Sequence, residues 1–230
     1  MHFTIQQDRC AMKVGTDGVL LGAWADVQNV KTVLDIGTGT GLVALMIAQR
    51  APESEIVAIE IDEMAASQAA DNFKSSKFRE RIQHQHLALQ EFEFEGTFDL
   101  LICNPPFFPS GTPSPDQKRN VARQEESLDL LTLIQKCSPL MAAHSRLALI
   151  LPALRKDELV AVIQEHEMYL KRICLVKPNH QKEPKRILFE AMKGIHVSGV
   201  VEETLVIEEG ERHVYTPEFK KLTSEFYPVE

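Results

Sequence analysis

The sequence predicts an α/β protein with a doubly wound, mostly parallel seven-stranded sheet and one antiparallel edge hairpin. Short apolar runs such as "KTVLDI", "EIVAIE" and "FDLLIC" alternate with helical stretches of about ten to fifteen residues. This alternation is typical of parallel strands whose connecting helices cover both faces of a sheet. A glycine-rich turn follows the first of these runs, and the last three strands follow one another without a helix.

The elements follow a regular order along the chain. A short N-terminal strand, "HFTIQ", precedes a helix in "TDGVLLGAWA". Thr16 is its expected N-cap, because a threonine hydroxyl there can accept a hydrogen bond from a free backbone N–H. Strands and helices then alternate as "KTVLDI", "GLVALMIAQR", "EIVAIE", "EMAASQAADNFKS", "RIQHQHL", "FDLLIC", "LDLLTLIQKCSPLM", "RLALILP" and "KDELVAVIQEH".

The last part of the chain has a different pattern. The runs "LKRICLVKP", "KRILFEAMKG" and "ETLVIEE" predict consecutive strands, for which antiparallel pairing is expected. Thr216 before Pro217 favours the start of a terminal helix. We expect one domain over residues 1–230, divided into an N-terminal extension (1–30), a core (31–166), and a C-terminal part with the antiparallel strands and the terminal helix (167–230).

Composition excludes several classes of protein. With 230 residues, of which 44% are hydrophobic, the chain can bury a large core, and it contains no run of eighteen apolar residues that would predict a membrane span. The N-terminus lacks the apolar centre of a signal peptide, so a cytoplasmic location is expected. The four cysteines lie far apart without metal-ligand spacing, which favours reduced thiols and no metal site. They are Cys10, Cys103, Cys137 and Cys174.

Charge is distributed unevenly. The net charge of −8 argues against nonspecific binding of nucleic acid. Residues 171–194 nevertheless contain seven Lys or Arg and two Glu, a net charge of +5, whereas residues 201–211 contain five Glu and no base, a net charge of −5. The basic stretch is either a surface for a specific anionic partner or simply the solvated face of two strands.

The glycine turn and the acid after the second strand predict a nucleoside cofactor. Gly37, Gly39 and Gly41 follow a strand that is expected to end at Ile36, and glycines there let the backbone approach a ligand closely. Glu60 ends the next strand, where a carboxylate can accept both hydroxyls of a ribose.

The spacing of the glycines indicates which nucleoside. A dinucleotide turn has the pattern GxGxxG, which brings pyrophosphate to the helix N-terminus, whereas this turn reads GxGxG. Asp35, just before it, would repel pyrophosphate but suits a ligand with an amino group and a sulfonium. The pattern therefore favours S-adenosylmethionine.

The motifs "DIGTGTG", "AIEID" and "NPPF" occur in this order, after the N-terminal stretch "QDRCAMKVGTDGVLLGAWA". In this combination the sequence resembles Rossmann-like class I methyltransferases. It is particularly similar to the bacterial family that methylates N6 of the adenosine 3′ of the anticodon in tRNA1(Val). The resemblance covers nearly the whole chain. It implies S-adenosylmethionine as cofactor and tRNA as partner, and by position it implies that Thr16 and Asp17 close over the methionine end of the cofactor.

The "NPPF" motif predicts a pocket for a planar amine. The side-chain oxygen of Asn104 and the carbonyl of Pro105 can each accept one N–H of the amine, which stabilises positive charge as it develops on the nitrogen. Phe107 offers a flat face on which a base can stack, an interaction worth about 1–3 kcal/mol. Because alignment is the main requirement of methyl transfer, no nucleophilic side chain is expected.

Two basic clusters are candidates for RNA contact. Lys118, Arg119 and Arg123 follow the "NPPFF" stretch, and Lys185 and Arg186 begin the second of the last three strands. Both are expected at the carboxyl edge of the sheet, where ligands bind in doubly wound folds, with the acidic run 201–211 away from the phosphates.

Other functions stay open at this point. Many relatives have an acid that binds the adenine of the cofactor where this chain has Ala88, so a different group must hold the adenine. Glutamine-N5 methyltransferases of release factors face the same chemistry, but they usually have "NPPY" and a larger N-terminal domain. DNA adenine methyltransferases usually carry a further recognition domain. A non-catalytic nucleoside-binding module is the alternative outside catalysis. We expect a monomer that binds tRNA and neither a membrane nor a metal.

Overall fold

The computed structural model describes residues 3–10, 12–105, 129–194 and 199–226. Its strands are β1 (Thr32–Ile36), β2 (Glu55–Glu60), β3 (Ile82–His86), β4 (Phe98–Cys103), β5 (Met141–Pro152), β6 (Met168–Asn179), β7 (Arg186–Lys193) and β8 (Val201–Glu208). Its α-helices are α1 (Thr16–Trp24), α2 (Leu42–Arg50), α3 (Glu63–Ser75), α4 (Leu130–Cys137), α5 (Lys156–Glu165) and α6 (Pro217–Thr223).

The strands form one sheet in the order β3-β2-β1-β4-β5-β7-β6-β8. Strands β1 to β5 are parallel to one another. The chain winds outward from β1 through β2 to β3, and then returns to the other side of β1 to form β4. The order therefore reverses between β1 and β4, and ligands of such sheets bind outside the carboxyl ends of the strands at this point.

Helices cover both faces of the sheet, as predicted. One apolar core joins the sheet to α1, α2, α3 and α6. The other joins it to α4 and α5. Neighbouring residues of one strand alternate between the two cores, as Val33 and Leu34 do, and both are fully buried. Continuous apolar strands are expected where both faces of a parallel sheet are covered.

The C-terminal strands differ from the prediction in two respects. There are eight strands among the described residues, not seven, and β8 pairs in parallel with β6. Strand β7 is antiparallel to both of its neighbours, β5 and β6. Because both edges of β7 are already paired, β8 pairs with the free edge of β6, and the antiparallel hairpin lies inside the sheet.

The N-terminal extension also differs from the prediction. Residues 3–7 form no strand, and α1 is preceded by Gly15 as its N-cap, so that Thr16 is the first residue of the helix. Helix α1 buries seven consecutive residues, Gly18 to Trp24, against the rest of the fold. A helix that is apolar on every side is expected to be enclosed by other elements. At the other end of the chain Thr216 caps α6, as predicted, by accepting a hydrogen bond from Phe219 N at 3.2 Å.

All four cysteines are buried and free. None of the helices in the described parts of the chain is long and apolar enough to cross a membrane.

Candidate active site

The glycine turn and the Asn-Pro motif lie next to each other where the strand order reverses. Ile36 is paired with Cys103 in the parallel register of β1 and β4. The residues that follow, Gly37 and Asn104, therefore leave the sheet side by side at its carboxyl edge. Asn104 is partly exposed and Pro105 is buried. Residues 106–128, which include Phe107 and the candidate RNA contacts Lys118, Arg119 and Arg123, lie outside the described part of the chain.

The three glycines of the turn have different surroundings. Gly37, Gly39 and Gly41 all have positive φ angles, of 66°, 58° and 83°. A Cβ atom added to Gly37 or Gly39 would meet no atom within 4 Å, whereas at Gly41 it would lie 2.5 Å from the Phe73 ring. The first two glycines therefore leave open space above the turn, and Gly41 is required by packing.

The Asp35 carboxylate lies beneath the turn. It is 2% exposed, and its Oδ2 accepts hydrogen bonds from Thr38 Oγ1 at 2.6 Å and from Ala44 N at 3.1 Å. Burial raises the pKa of Asp35 to about 7, although these two hydrogen bonds lower it, and the nearby Glu60 raises it further. Asp35 thus ties the turn to the first turn of α2, a structural role that the sequence did not reveal.

Glu60 ends β2 at the other side of the turn. Its Oε2 accepts a hydrogen bond from Gly39 N at 2.8 Å, and its Oε1 accepts one from Asp62 N at 2.9 Å. Each carboxylate oxygen has two lone pairs, so each can accept a further hydrogen bond. The side chain is 8% exposed and is held in place by these two N–H groups. A fixed carboxylate beside an open glycine turn fits the ribose of a nucleoside cofactor.

Helix α1 packs against the Asn-Pro motif. A Cβ atom added to Gly18 would lie 3.3 Å from the side chain of Leu42 and 3.7 Å from Asn104 Nδ2. The absence of a side chain at Gly18 therefore lets the first turns of α1 and α2 come close to Asn104. The residue at position 18 of α1 therefore limits where the Asn104 side-chain amide can lie.

Comparisons with known proteins agree with this geometry. The family model described as "Methyltransferase small domain" matches residues 13–124. A protein of Bacteroides thetaiotaomicron named tRNA1(Val) (adenine(37)-N6)-methyltransferase is 41% identical over 227 residues, which cover 98% of this chain and 94% of that protein. Proteins with the same name from Flavobacterium psychrophilum and Tolumonas auensis are 40% and 41% identical, over 98% of this chain and 97% and 94% of theirs. The chain belongs to this methyltransferase family.

Solved structures agree on the fold. An Agrobacterium tumefaciens protein described as a predicted O-methyltransferase superposes with a TM-score of 0.68 at 21% identity, covering 91% of this chain and 96% of that protein. A Listeria monocytogenes protein described as a class I S-adenosylmethionine-dependent methyltransferase gives a TM-score of 0.60 at 14% identity, covering 91% and 69%.

The N-terminal extension of the methyltransferase crosses α3 beside the glycine turn. Asn72 Oδ1 accepts a hydrogen bond from Gln6 N at 2.9 Å, and Asn72 Nδ2 donates to Gln6 O at 2.9 Å and to Thr40 O at 2.8 Å. One turn earlier in α3, Gln68 accepts a hydrogen bond from Arg9 N at 3.0 Å. Both side-chain amides are buried on one face of α3. In the sequence, two amide residues four positions apart on an otherwise apolar helix face could have indicated that this face binds a backbone segment.

The extension continues toward Glu60. Cys10 is buried, and burial raises the pKa of its thiol, with further contributions from Asp62 and Glu60. The segment therefore lies close to the acidic end of β2. Asn72 also links the segment to the glycine turn, because it forms hydrogen bonds with Gln6 and with the Thr40 carbonyl.

The expected adenine side of the cofactor site is open and apolar. After β3, Ala88 is partly exposed, and His86 Nε2 lies 3.0 Å from Ile61 O, which links the ends of β2 and β3. Directly after Glu60, the side chains of Ile61 and Met64 are 50% and 52% exposed. Exposed apolar side chains at a sheet edge of this kind offer contact area for a flat ring.

The basic stretch 171–194 is divided between two places. Lys171 and Arg172 are partly exposed and already paired. Arg172 donates to the fully buried Glu190 at 3.2 Å and stacks over the Trp24 ring at 3.8 Å, and Lys171 lies 3.3 Å from Asp26. They balance the charges of the partly exposed Asp26, just after α1, and of the buried Glu190 in β7. A phosphate would have to compete with these ion pairs.

Lys185 and Arg186 lie at the carboxyl edge, as predicted. Arg186 pairs with Pro152 at the end of β5 and with Val176 near the end of β6. The expectation that the acidic run lies away from this edge is wrong for its last residues. Because β8 is parallel to β6, Glu208 lies beside Asn179 at the same edge.

Proposed function

We propose that the protein transfers a methyl group from S-adenosylmethionine to the N6 amine of adenosine 37 in tRNA1(Val), the reaction named for its relatives. The observation that carries this proposal is the adjacency of Asn104 and Gly37 at the reversal of strand order. An amide that can hold an amine thereby lies beside an open glycine turn that can hold a nucleoside.

The residues present fit the cofactor. Gly37 and Gly39 leave the space that a bound nucleoside needs, and Glu60 has free lone pairs for the ribose hydroxyls. Ile61 supplies an apolar face for the adenine in place of the acid that many class I methyltransferases carry where this chain has Ala88. When bound, S-adenosylmethionine supplies an electrophilic methyl group on a sulfonium. No group of three or more His, Cys, Asp or Glu within the described ranges could hold a metal ion.

Asn104 and Pro105 orient the target amine. The lone pair of an aryl amine is delocalised into its ring, which makes it a poor nucleophile. Asn104 Oδ1 and the Pro105 carbonyl accept its two N–H groups and favour a pyramidal nitrogen, whose lone pair then points at the methyl group. These oxygens also stabilise the positive charge that develops on the nitrogen. Phe107 stacks on the adenine, which leaves its own stack more easily in a tRNA loop than in a duplex.

Basic side chains beside the pocket bind the phosphates of the tRNA. Lys185 and Arg186 supply one side, and Lys118, Arg119 and Arg123 supply the other. Such contacts position RNA without reading its sequence. We infer that the protein acts as a monomer in the cytoplasm, where its buried thiols stay reduced and its tRNA substrate is found.

Nucleoside mass spectrometry tests the proposal. Unmodified tRNA1(Val) incubated with the protein and S-adenosylmethionine is expected to acquire one N6-methyladenosine, and tRNA1(Val) with guanosine at position 37 is expected to acquire none. Methylation of a release factor instead of the tRNA would contradict the proposal.

A further inference from the structure

A groove lies on the side of α1 that faces away from Asn104. Its floor is apolar and consists of Val176, Pro178 and Ile207, from the carboxyl ends of β6 and β8. Its rim carries Lys185, just before β7, Arg186, the first residue of β7, and Thr16 and Asp17 from the first turn of α1.

The groove is separate from the position of the target amine. Neighbouring residues of an α-helix point about 100° apart. In the first turn of α1, Gly18 faces Asn104 and Leu42, whereas Asp17 accepts a hydrogen bond from Arg186 Nε at 2.7 Å. The first turn of α1 thus forms a partition between the groove and Asn104.

The size of the groove indicates that it binds part of a larger ligand. Its volume is about 210 Å³. Pockets that enclose a whole small molecule usually measure about 300–1,000 Å³. Strand β7 is two positions from β4 in the sheet, so the groove begins about 10 Å from Asn104 at the usual strand spacing. Only nucleotides close to the target adenosine can bridge such a distance.

The lining matches a nucleotide in chemistry. Pro178 and Ile207 are partly buried and lie beside the buried Val176, so these two side chains offer an apolar surface to a base or ribose. Lys185 is exposed at the rim, and the planar guanidinium of Arg186 can bind phosphate through two parallel hydrogen bonds. Single-stranded RNA is recognised by contacts of this combined kind.

We propose that this groove binds a nucleotide adjacent to the target adenosine, an inference that rests on the proposed function. Its base and ribose pack on Pro178 and Ile207, and its phosphate binds Arg186 and Lys185. In the absence of RNA, Asp17 takes the place of the phosphate at Arg186. The phosphate displaces Asp17 when the tRNA binds.

Chemically altered tRNA tests the proposal. Full-length tRNA1(Val) is assembled by ligation with one alteration at a time next to adenosine 37. Either the neighbouring nucleotide is made abasic, or its phosphate is replaced by an uncharged methylphosphonate. Each alteration is made first on one side of adenosine 37 and then on the other. On one side, each alteration is expected to raise KM by about tenfold or more, the value of one charge-assisted hydrogen bond or one stacked base. The value of kcat is expected to change less than twofold.

Protein variants show whether residues of the groove cause these increases in KM. In Arg186→Gln the methylphosphonate is expected to cause a smaller loss than in the wild-type protein, because only Lys185 still binds the phosphate. In Ile207→Ser the abasic residue is likewise expected to cause a smaller loss, while each variant keeps its full sensitivity to the other alteration. Lys74→Gln, an exposed lysine in the last turn of α3, is the matched control and keeps both penalties.

Two results would contradict the proposed role of the groove. One is an unchanged KM with every altered tRNA, and the other is an equal increase in KM in the variants and in the wild-type protein. Wild-type protein that leaves intact tRNA unmethylated would contradict the proposed function itself.

Discussion

Arg186 donates a hydrogen bond from its guanidinium Nε to the carboxylate of Asp17 at a distance of 2.7 Å. The two side chains are 39% and 36% exposed, so water and salt can compete with the pair. The resemblance implies that Asp17 closes over the cofactor, whereas the structure pairs it with Arg186, a residue of the proposed RNA site. This ion pair therefore links the binding of the cofactor to the binding of RNA.

Replacing Asp17 by Asn should free Arg186 for RNA. Because an exposed ion pair contributes little, the affinity of the cofactor-free protein for tRNA1(Val) is expected to rise by up to about fivefold. Fluorescence anisotropy with labelled tRNA measures the change. Asp71→Asn removes the same charge from an acid on α3 that pairs with Arg9 and is the control. An equal gain in both variants would mean that net charge alone is responsible.

Asn104→Ala should strongly slow methyl transfer without removing the cofactor. Loss of one oriented hydrogen-bond acceptor from a site of developing charge is expected to lower kcat by about 10²–10³-fold. Calorimetry should find the affinity for S-adenosylmethionine within a few-fold of the wild-type value, because the amide faces the target amine. A matching collapse of cofactor affinity would contradict this division of roles.

Local features of the site could be predicted from the sequence. The ends of β1, β2 and β4 are set by apolar runs followed by glycine, acid or Asn-Pro, and the structure confirms these boundaries. The sequence could not distinguish Gly39 from Gly41, because the difference depends on Phe73, which comes from another helix.

Relationships between distant residues could not be predicted in the same way. The direction of β8 depends on which strand edge is free once β5 and β6 have paired with β7. The Asp17–Arg186 pair joins residues 169 positions apart, and no local pattern records it. Similarly, Arg172 belongs to a basic stretch of sequence but lies against buried Glu190.

The raised pKa of Asp35 predicts that stability depends on pH. The pKa is about 7 in the folded protein, whereas an unfolded aspartate titrates at about 3.9. Between these values the folded state binds more protons than the unfolded state, so this group lowers stability as pH rises from about 4 to about 7.

In Asp35→Asn this contribution is absent. The free energy of unfolding of the variant, relative to that of wild type, is expected to increase across the same pH range and to level off above about pH 8. Urea unfolding at a series of pH values measures it. Asp157→Asn, an exposed acid in α5, is expected to show no such trend. A constant difference for Asp35→Asn would mean that Asp35 stays ionised in the folded protein.

Alanine at Gly39 and at Gly41 should separate cofactor binding from packing. Both residues have positive φ, so each substitution is expected to cost about 1–2 kcal/mol of stability from backbone strain. At Gly41 the new Cβ would also lie 2.5 Å from the buried Phe73 ring, and overpacking of this kind adds about 1–3 kcal/mol. Urea unfolding should therefore find Gly41→Ala the less stable variant.

Cofactor affinity should show the opposite order. The methyl group of Gly39→Ala points into the open space beside Glu60, where it would obstruct a bound nucleoside, so calorimetry is expected to find at least about a tenfold loss of affinity for S-adenosylmethionine, the cost of about 1.4 kcal/mol. The methyl group of Gly41→Ala points at Phe73 instead, away from that space. At a temperature where both variants stay folded, Gly41→Ala should bind the cofactor more tightly than Gly39→Ala. If the two affinities fell equally, the open space above Gly39 would not be where the nucleoside binds.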